Sequence, residues 1–461
     1  MPSTKPPSGM RDYLPETVSQ RRYVVATIES VFQRHGFLPL ETPAIENLST
    51  LLGKYGEEGD QLLYRLLHRG EKLTRALDTP PIEIAALAEL GLRYDLTVPL
   101  ARVVAQYGQQ LPRFFKRYQI QPVWRADRPA KGRFREFYQC DVDMTGTTSL
   151  LAEAEVITAV CGALLELGFS GFSVALNHRV LLRSMIEVAD IDPALEGSSL
   201  VAIDKLDKIG ASGVHDELVQ RGIPAQSAQR LLAMTTGTQD TQSSLDNAQD
   251  NAQLLHKLRI SLPLPHAQQA LDDLETLLSL TADTPAGPLL RLTPALARGL
   301  SYYTGPIFEI TSQDLSGSLG GGGRYDNLVG MFSGKQVPAV GFSLGLERIL
   351  LLMEERQMFP PLPLQAQVMV CPLAETPLHA VLGLAARLRQ AGITVEIYPE
   401  HTKLGRQLST ADSLHIPYAL IIGPDEVAKQ TYTLKNLATG EQNSFDEASL
   451  LQTLQSTPTP D

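Results

Sequence analysis

Three arginines stand where a cation could do chemistry. In ALARGLSYYTGPIFEI, residues 295–310, Arg298 precedes Ser301, Tyr302 and Tyr303 on the approach to an apolar strand. A buried guanidinium is costly unless an anion meets it. Arg125 lies in VWRADRP, and Arg348 follows a glycine-spaced strand in GFSLGLERIL. A planar, permanently charged guanidinium suits two-pronged contact with phosphate. The last two also have a plainer reading. Arg125 could pair across a hairpin with Asp127 or Glu136, and Arg348 with Glu354.

Acids and glycines complete the set. Asp95 lies in LRYDLT, and Gln139, Asp141 and Asp143 alternate through YQCDVD, so the period of a strand puts those three on one face. A polar face is usually solvated; lining a cavity, it would suit a cationic or hydrogen-bonding small molecule. SLGGGGRYDNLV carries Gly320 to Gly323 before Arg324, Tyr325 and Asp326. It lacks the spacing of a P-loop and reads as a tight glycine turn, or as the glycine-lined wall of a small-substrate pocket.

The elements that position these groups follow from periodicity and breakers. Val24, Val25, Ile28, Val31 and Phe32 predict a helix over 17–35 closed by Gly36. A short strand is expected around Pro39 and Pro43. Residues 90–107 read as a strand entering a helix, with Thr97 and Pro99 as start signals. Residues 111–146 read as a long antiparallel hairpin with a charged loop near 126–132. From Arg113 to Glu136 it carries Arg113, Lys116, Arg117, Arg125, Arg128, Lys131, Arg133 and Arg135 against Asp127 and Glu136, interleaved with aromatics. An amphipathic helix is expected over 149–168. Residues 180–282 are polar and helical, with a stretch almost free of large apolar residues. Strand texture returns at 288–310, and 337–355 reads as a strand running into a helix. Pro360, Pro361 and Pro363 mark a linker over 359–367. Beyond it, strands alternate with helices over 368–423 before a hairpin near 431–445, the pattern of a small α/β domain.

Composition excludes several classes. The 461 residues suffice for two or three domains. No apolar run approaches a membrane span, and the first residues lack the apolar core of a secretory signal. Three scattered cysteines suit neither a disulfide framework nor a zinc site and fit a reducing, cytoplasmic setting. A formal net charge of −11 argues against indiscriminate polyanion binding, while leaving room for a local basic surface.

Taken in order, these pieces resemble the histidyl-tRNA synthetases, a family of class II aminoacyl-tRNA synthetases. PSGMRDYLP resembles the family's amino-terminal signature, and the segment around Pro43 resembles motif 1, which in class II enzymes lies at the dimer interface. VWRADRPAKGRFREFYQCDVD resembles motif 2 and VGFSLGLERIL motif 3. ARGLSYYTG and GGGRYD resemble the two histidine-specific signatures. The resemblance implies an α+β catalytic domain on an antiparallel sheet over 1–179 and 283–358. It also implies a helical insertion over 180–282 and an α/β anticodon-binding domain over 368–461. It implies a homodimer that uses L-histidine, ATP with Mg²⁺, and tRNA(His). Arg125 would hold the α-phosphate and Arg348 the γ-phosphate, with Asp127 and Arg133 also at ATP, and Arg298 would be the catalytic arginine. Asp95, Thr97, Gln139, Asp143, Arg298, Tyr302 and Tyr303 would recognise histidine, and Gly321, Gly322, Gly323, Arg324 and Tyr325 would line the pocket. The basic loop 128–135 would meet the tRNA acceptor end, and the insertion would clamp the acceptor arm. This chain has Ser301 where the family commonly has aspartate, and Asp127 where glutamate is frequent. Two rivals are a catalytically silent paralogue that regulates the first enzyme of histidine biosynthesis and an RNA-binding module without catalysis. The last domain and the arginine-bearing signature argue against the first, and retention of Arg125, Arg298 and Arg348 together argues against the second.

Overall fold

A computed structural model describes residues 3–79, 81–236, 247–297, 302–312, 317–362 and 366–456. The chain divides into two compact units: Met1–Asp12 with Arg21–Gln357, and Tyr13–Gln20 with Met358–Asp461.

The first unit is built on a sheet of eight strands. In chain order its elements begin with helix α1 (Pro15–Arg34), which belongs to this unit from Arg21 onward, β1 (Leu38–Pro39), β2 (Ile45–Asn47), β3 (Arg65–Leu67), β4 (Ala88–Leu92) and α2 (Thr97–Tyr107). The hairpin β5 (Phe115–Trp124) and β6 (Glu136–Thr145) follows, then α3 (Leu151–Glu166) and β7 (Phe172–His178). Helices α4 (Arg179–Val188), α5 (Glu196–Ile203), α6 (Leu206–Gln220), α7 (Ala225–Thr236), α8 (Asn247–Ser261) and α9 (Pro265–Thr281) come next. The unit ends with β8 (Leu290–Leu292), β9 (Pro306–Ser312), β10 (Ser318–Arg324), β11 (Ala339–Gly345) and α10 (Leu346–Glu355). The large sheet runs β1-β5-β6-β11-β10-β9-β7-β8. Its six central strands pair antiparallel, and only the outermost pairs, β1 with β5 and β7 with β8, run parallel. β2, β4 and β3 form a separate antiparallel sheet.

Local chemistry sets these elements. Val24, Ile28, Val31 and Phe32 bury one stripe of α1. Beyond its end Gly36 takes φ +75°, and the Phe37 amide donates to the Phe32 carbonyl, the six-to-one closure that glycine at this position allows. At the start of α2 the Asp95 carboxylate accepts from the Val98 amide at 3.0 Å, so an acid of the cavity also satisfies a helix-end donor. α8 is tied to the sheet by Asn251, which donates to the Leu290 carbonyl and accepts from the Leu292 amide.

Two expectations are corrected. The glycines at 320–323 form no turn: they lie within β10, between β11 and β9. A Cβ on Gly322 would stand 2.0 Å from the Gly341 carbonyl oxygen, and one on Gly320 2.4 Å from that of Ser343. Close approach of neighbouring backbone, not a turn, requires glycine here. The helix expected to be amphipathic over 149–168 is instead buried on most of its surface, because α3 packs against β11 and β6 and also against α9.

In the second unit, β12 (Val368–Pro372), α11 (Leu378–Gln390), β13 (Val395–Ile397), α12 (Leu404–Ser413) and β14 (Tyr418–Ile422) precede α13 (Pro424–Lys429), β15 (Thr431–Asn436), β16 (Gln442–Asp446) and α14 (Glu447–Ser456). The sheet order is β13-β12-β14-β15-β16, parallel across the first three strands and antiparallel thereafter. Val368 and Val370 enter one apolar cluster while Met369 and Cys371 enter another. Burial of both faces explains the unbroken apolar run VMVC.

Candidate active site

A cavity of about 540 Å³ opens over the centre of the large sheet of the first unit. Its floor follows from strand register. Asp143 on β6 stands beside Gly341 on β11, which stands beside Gly323 on β10; one row along come Asp141, Ser343 and Gly321; the next β6–β11 pair is Gln139 and Gly345. Acids and an amide on β6 thus border a surface kept low by glycine and serine. At Gly341 a Cβ would lie 1.9 Å from Asp143 Oδ1, so glycine makes room for that carboxylate.

One end is acidic and deeply buried. Asp95, Asp141 and Asp143 expose 3%, 1% and 2% of their surface. The Tyr325 hydroxyl donates to Asp143 Oδ1 at 2.5 Å, and the Tyr55 hydroxyl donates to Asp95 Oδ1 at 3.1 Å. Arg117 Nη2 lies 2.9 Å from Asp143 Oδ2 and 3.8 Å from Asp141 Oδ2. Gln139 donates to the Ser343 hydroxyl at 2.8 Å. Burial pushes all three acids above the ordinary carboxylate range, Asp141 to about 7, while Arg117 pulls Asp141 and Asp143 back down. Burial also raises the Tyr302 and Tyr325 hydroxyls well above their usual range, so both remain O–H donors at neutral pH. Tyr302 packs edge-on against Tyr303 and Tyr325.

The other end carries arginines. Arg125 donates through Nε to the Tyr94 carbonyl at 3.0 Å, and its guanidinium lies 4.3 Å from the centre of the Tyr94 ring and 5.2 Å from that of Phe137. Neither acid of the plainer reading takes it: Asp127 accepts from Arg133 at 2.6 Å, and Glu136 accepts from the Trp124 indole at 2.8 Å. Arg348 donates to the Ser318 carbonyl. The loop bearing Asp127 and Arg133 is held from outside, where the Arg135 amide donates to Gly9 O at 2.8 Å and Arg135 Nε to Asp127 O at 3.0 Å. Arg11 stacks 3.5 Å over Phe134.

The structure brings together Asp95, Thr97, Gln139, Asp143, Tyr302 and Tyr303 at this cavity, together with Arg125, Asp127, Arg133 and Arg348; Gly321, Gly322 and Tyr325 line it as well. Gly323, although it continues the Asp143–Gly341 row, is not among its lining residues, and neither is Arg324. Arg324 instead makes a buried ion pair with Glu153 at 2.5 Å and also donates to Asp326 and to the Thr147 carbonyl. It secures α3 against the strands. Arg298 and Ser301 lie outside the described residues. Sequence reasoning placed Asp141 on the polar face but gave it no role, and it counted Arg117 only within a basic run. It passed over Phe137, Glu309 and Glu347, which line the cavity, and Asp204, which reaches it from the end of α5. Period two along β6 was the available signal for Asp141; nothing local marks Asp204.

The arrangement can hold a small molecule with cationic or N–H groups at one end and an anionic chain at the other, on a floor flat enough for a ring. Among the described residues no cluster of three His, Cys, Asp or Glu side chains could hold a metal ion, and no helix is long and apolar enough to cross a membrane.

Comparison with known proteins bears on this site. A family model described as Histidyl-tRNA synthetase matches residues 9–349, and one described as Anticodon binding domain matches 367–457. A histidine–tRNA ligase of Cytophaga hutchinsonii is 42% identical over 452 residues, covering 96% of this chain and 97% of the relative. One from Porphyromonas gingivalis is 41% identical over 445 residues, covering 95% of each. Among solved structures, histidyl-tRNA synthetase from Nostoc sp. PCC 7120 matches with a TM-score of 0.79 at 30% identity, covering 99% of both chains.

Proposed function

The chain belongs to the histidyl-tRNA synthetase family, and from that premise we propose how its cavity divides the work. The chain activates L-histidine with ATP to histidyl-adenylate and transfers histidine to the 3′ end of tRNA(His), releasing pyrophosphate and AMP. The observation that carries the assignment of roles is the polarity of the cavity, acids at one end and arginines at the other.

Histidine occupies the acidic end. Asp95, Thr97, Gln139 and Asp143, with Tyr302 and Tyr303, recognise its ammonium group and imidazole. Hydrogen-bonded recognition of a polar side chain discriminates steeply, because an analogue lacking those groups leaves buried partners unmet. ATP arrives with magnesium as part of the substrate, and its phosphates lie toward the arginines. Arg125 contacts the α-phosphate, Arg348 the γ-phosphate, and Arg133, positioned by Asp127, the nucleotide between; the aromatic faces of Tyr94 and Phe137 hold Arg125 in place. Arg298 supplies a further cation at the α-phosphate.

The nucleophile is histidine's own carboxylate, already ionised at neutral pH, so no general base is needed. Its barrier lies in bringing two anions together and stabilising charge on the phosphoryl oxygens. Fixed guanidinium groups do both without titrating. In the second step the terminal ribose hydroxyl of tRNA attacks the adenylate carbonyl. The loop 128–135 contacts the acceptor end through phosphates. Residues 180–282 embrace the acceptor arm, and residues 368–461 bind the anticodon, with Lys403 and Arg406 at the start of α12 as contacts. The molecule works in the cytoplasm as a homodimer joined near Pro43.

Histidine-dependent exchange of pyrophosphate into ATP tests the assignment. The parent chain should show it with histidine alone among the amino acids. Arg298→Ala should slow it by about a hundredfold or more, as expected for loss of one fixed charge at a reacting phosphoryl group. A near-parental rate would remove Arg298 from the mechanism.

A further inference from the structure

Arg117 is the most buried guanidinium near the site, with 0% of its surface exposed. It is not among the residues that line the cavity and lies behind Asp143 and Asp141. It stands on β5 opposite Asp143, with Gln119 opposite Asp141. Its Nη2 donates to the Leu96 carbonyl at 3.1 Å and lies within ion-pair distance of both carboxylates. Asp141 Oδ1 is buried without a hydrogen-bond partner, and Asp143 Oδ2 is buried against the Arg117 guanidinium at 2.9 Å.

We propose that Arg117 and Asp141 are a matched pair of positioning residues that keep Asp143 ionised and aimed at the imidazole of bound histidine, an inference that rests on the reading above. Charge arithmetic is the first argument. Two carboxylates and one guanidinium leave one net negative charge at the floor. Without Arg117, two buried carboxylates side by side take up protons rather than both remain ionised. Without Asp141, Arg117 and Asp143 cancel, and the cavity loses its negative charge.

Asymmetry decides which acid keeps the charge. Asp143 receives the Tyr325 hydroxyl at 2.5 Å and sits closer to Arg117 than Asp141 does. Asp141 is pushed up to about 7 by burial, with Asp143 and Asp95 adding to the rise and Arg117 and Ser343 opposing it. When the pair takes up a proton, as it does on loss of Arg117, Asp141 receives it and Asp143 keeps its charge. The groups facing the pair are Arg117 from β5, Tyr325 after β10, Ser343 from β11, and Asp95 ahead of α2, with Arg125 and Tyr55 acting on Asp95. Gly341 leaves the Asp143 carboxylate room to hold this position.

The test uses the full chain, comparing the parent with Arg117→Met and with Arg117→Met/Asp141→Asn in histidine-dependent pyrophosphate exchange from about pH 6 to about pH 9. Arg117→Met should raise KM for histidine about tenfold near neutral pH while KM for ATP stays within about twofold. That KM should fall again toward high pH, as the remaining carboxylates lose their proton later than in the parent. Adding Asp141→Asn removes the competing acid and should bring KM for histidine back to within about threefold of the parent. A structural role alone would give no rescue and no change in pH profile. The proposal is overturned if the double variant binds histidine no better than Arg117→Met, or if Arg117→Met leaves KM and its pH profile unchanged. Should Arg117→Met fail to fold alone, the double variant decides: soluble protein with near-parental KM for histidine supports the pairing, and failure to fold or a KM raised about tenfold overturns it. A parent without histidine-dependent exchange would instead refute the activity itself.

Discussion

The two ends of one cavity solve opposite electrostatic problems. At the acidic end, Asp141 and Asp143 are buried beside a guanidinium that is itself fully buried and outside the cavity lining. At the other, Arg125 rests on a backbone carbonyl and two aromatic faces, while nearby acids are occupied by Arg133 and Trp124. Buried acids need a permanent counter-ion to keep any charge at all. A guanidinium whose hydrogen bond goes to a backbone carbonyl rather than to a carboxylate leaves its other N–H groups for an incoming anion. The acidic end is thus tuned before substrate arrives, whereas the arginine end is completed by it.

This contrast can be broken at either end. The largest effect belongs to Arg125. Arg125→Ala should lower the exchange rate by about 10²–10³, and Arg125→Lys should recover little, because a point charge cannot both stack on aromatic rings and grip phosphate with a planar fork. Recovery to near-parental rates with lysine would mean that the end needs only a positive charge. Gly341→Ala comes next. The added methyl would fall 1.9 Å from Asp143 Oδ1 and must displace that carboxylate. KM for histidine should rise about tenfold with KM for ATP little changed; equal losses for both substrates would deny the two ends their independence.

The smallest effect concerns stability. Asp141 is raised from 3.8 to about 7. A raised carboxyl favours the protonated form, so the folded state loses stability as pH climbs between those values and levels off above them. Asp141→Asn removes this titration. Its melting temperature should gain on the parent by a few degrees across that window and then hold constant. A constant difference at every pH would show that Asp141 carries no such burden.

Much of this was legible in the chain. Period two placed Gln139, Asp141 and Asp143 on one face, the helix start at Thr97 was read from local signals, and 337–355 was read as a strand running into a helix. The glycine run misled, because a glycine-rich segment has the same composition whether it turns or lets strands crowd together; only the carbonyls of Gly341 and Ser343 on the adjacent strand distinguish the two. Arg324 misled for a related reason. It sits beside pocket residues in sequence, yet the acid it meets, Glu153, comes from a helix far away along the chain.

Sequence by itself determined the kinds of group available and their order: three arginines, an alternating acidic strand, glycines, and a second α/β region beyond the prolines. Those properties are local and depend on residue type and spacing alone. Tertiary structure decided the pairing. Arg117 became a counter-ion instead of one more cation in a basic run because β5 lies against β6 in a register that sets it opposite Asp143. Strand register is a long-range choice made by the packing of the whole sheet, and the electrostatics of buried charge depend on which partner that register delivers.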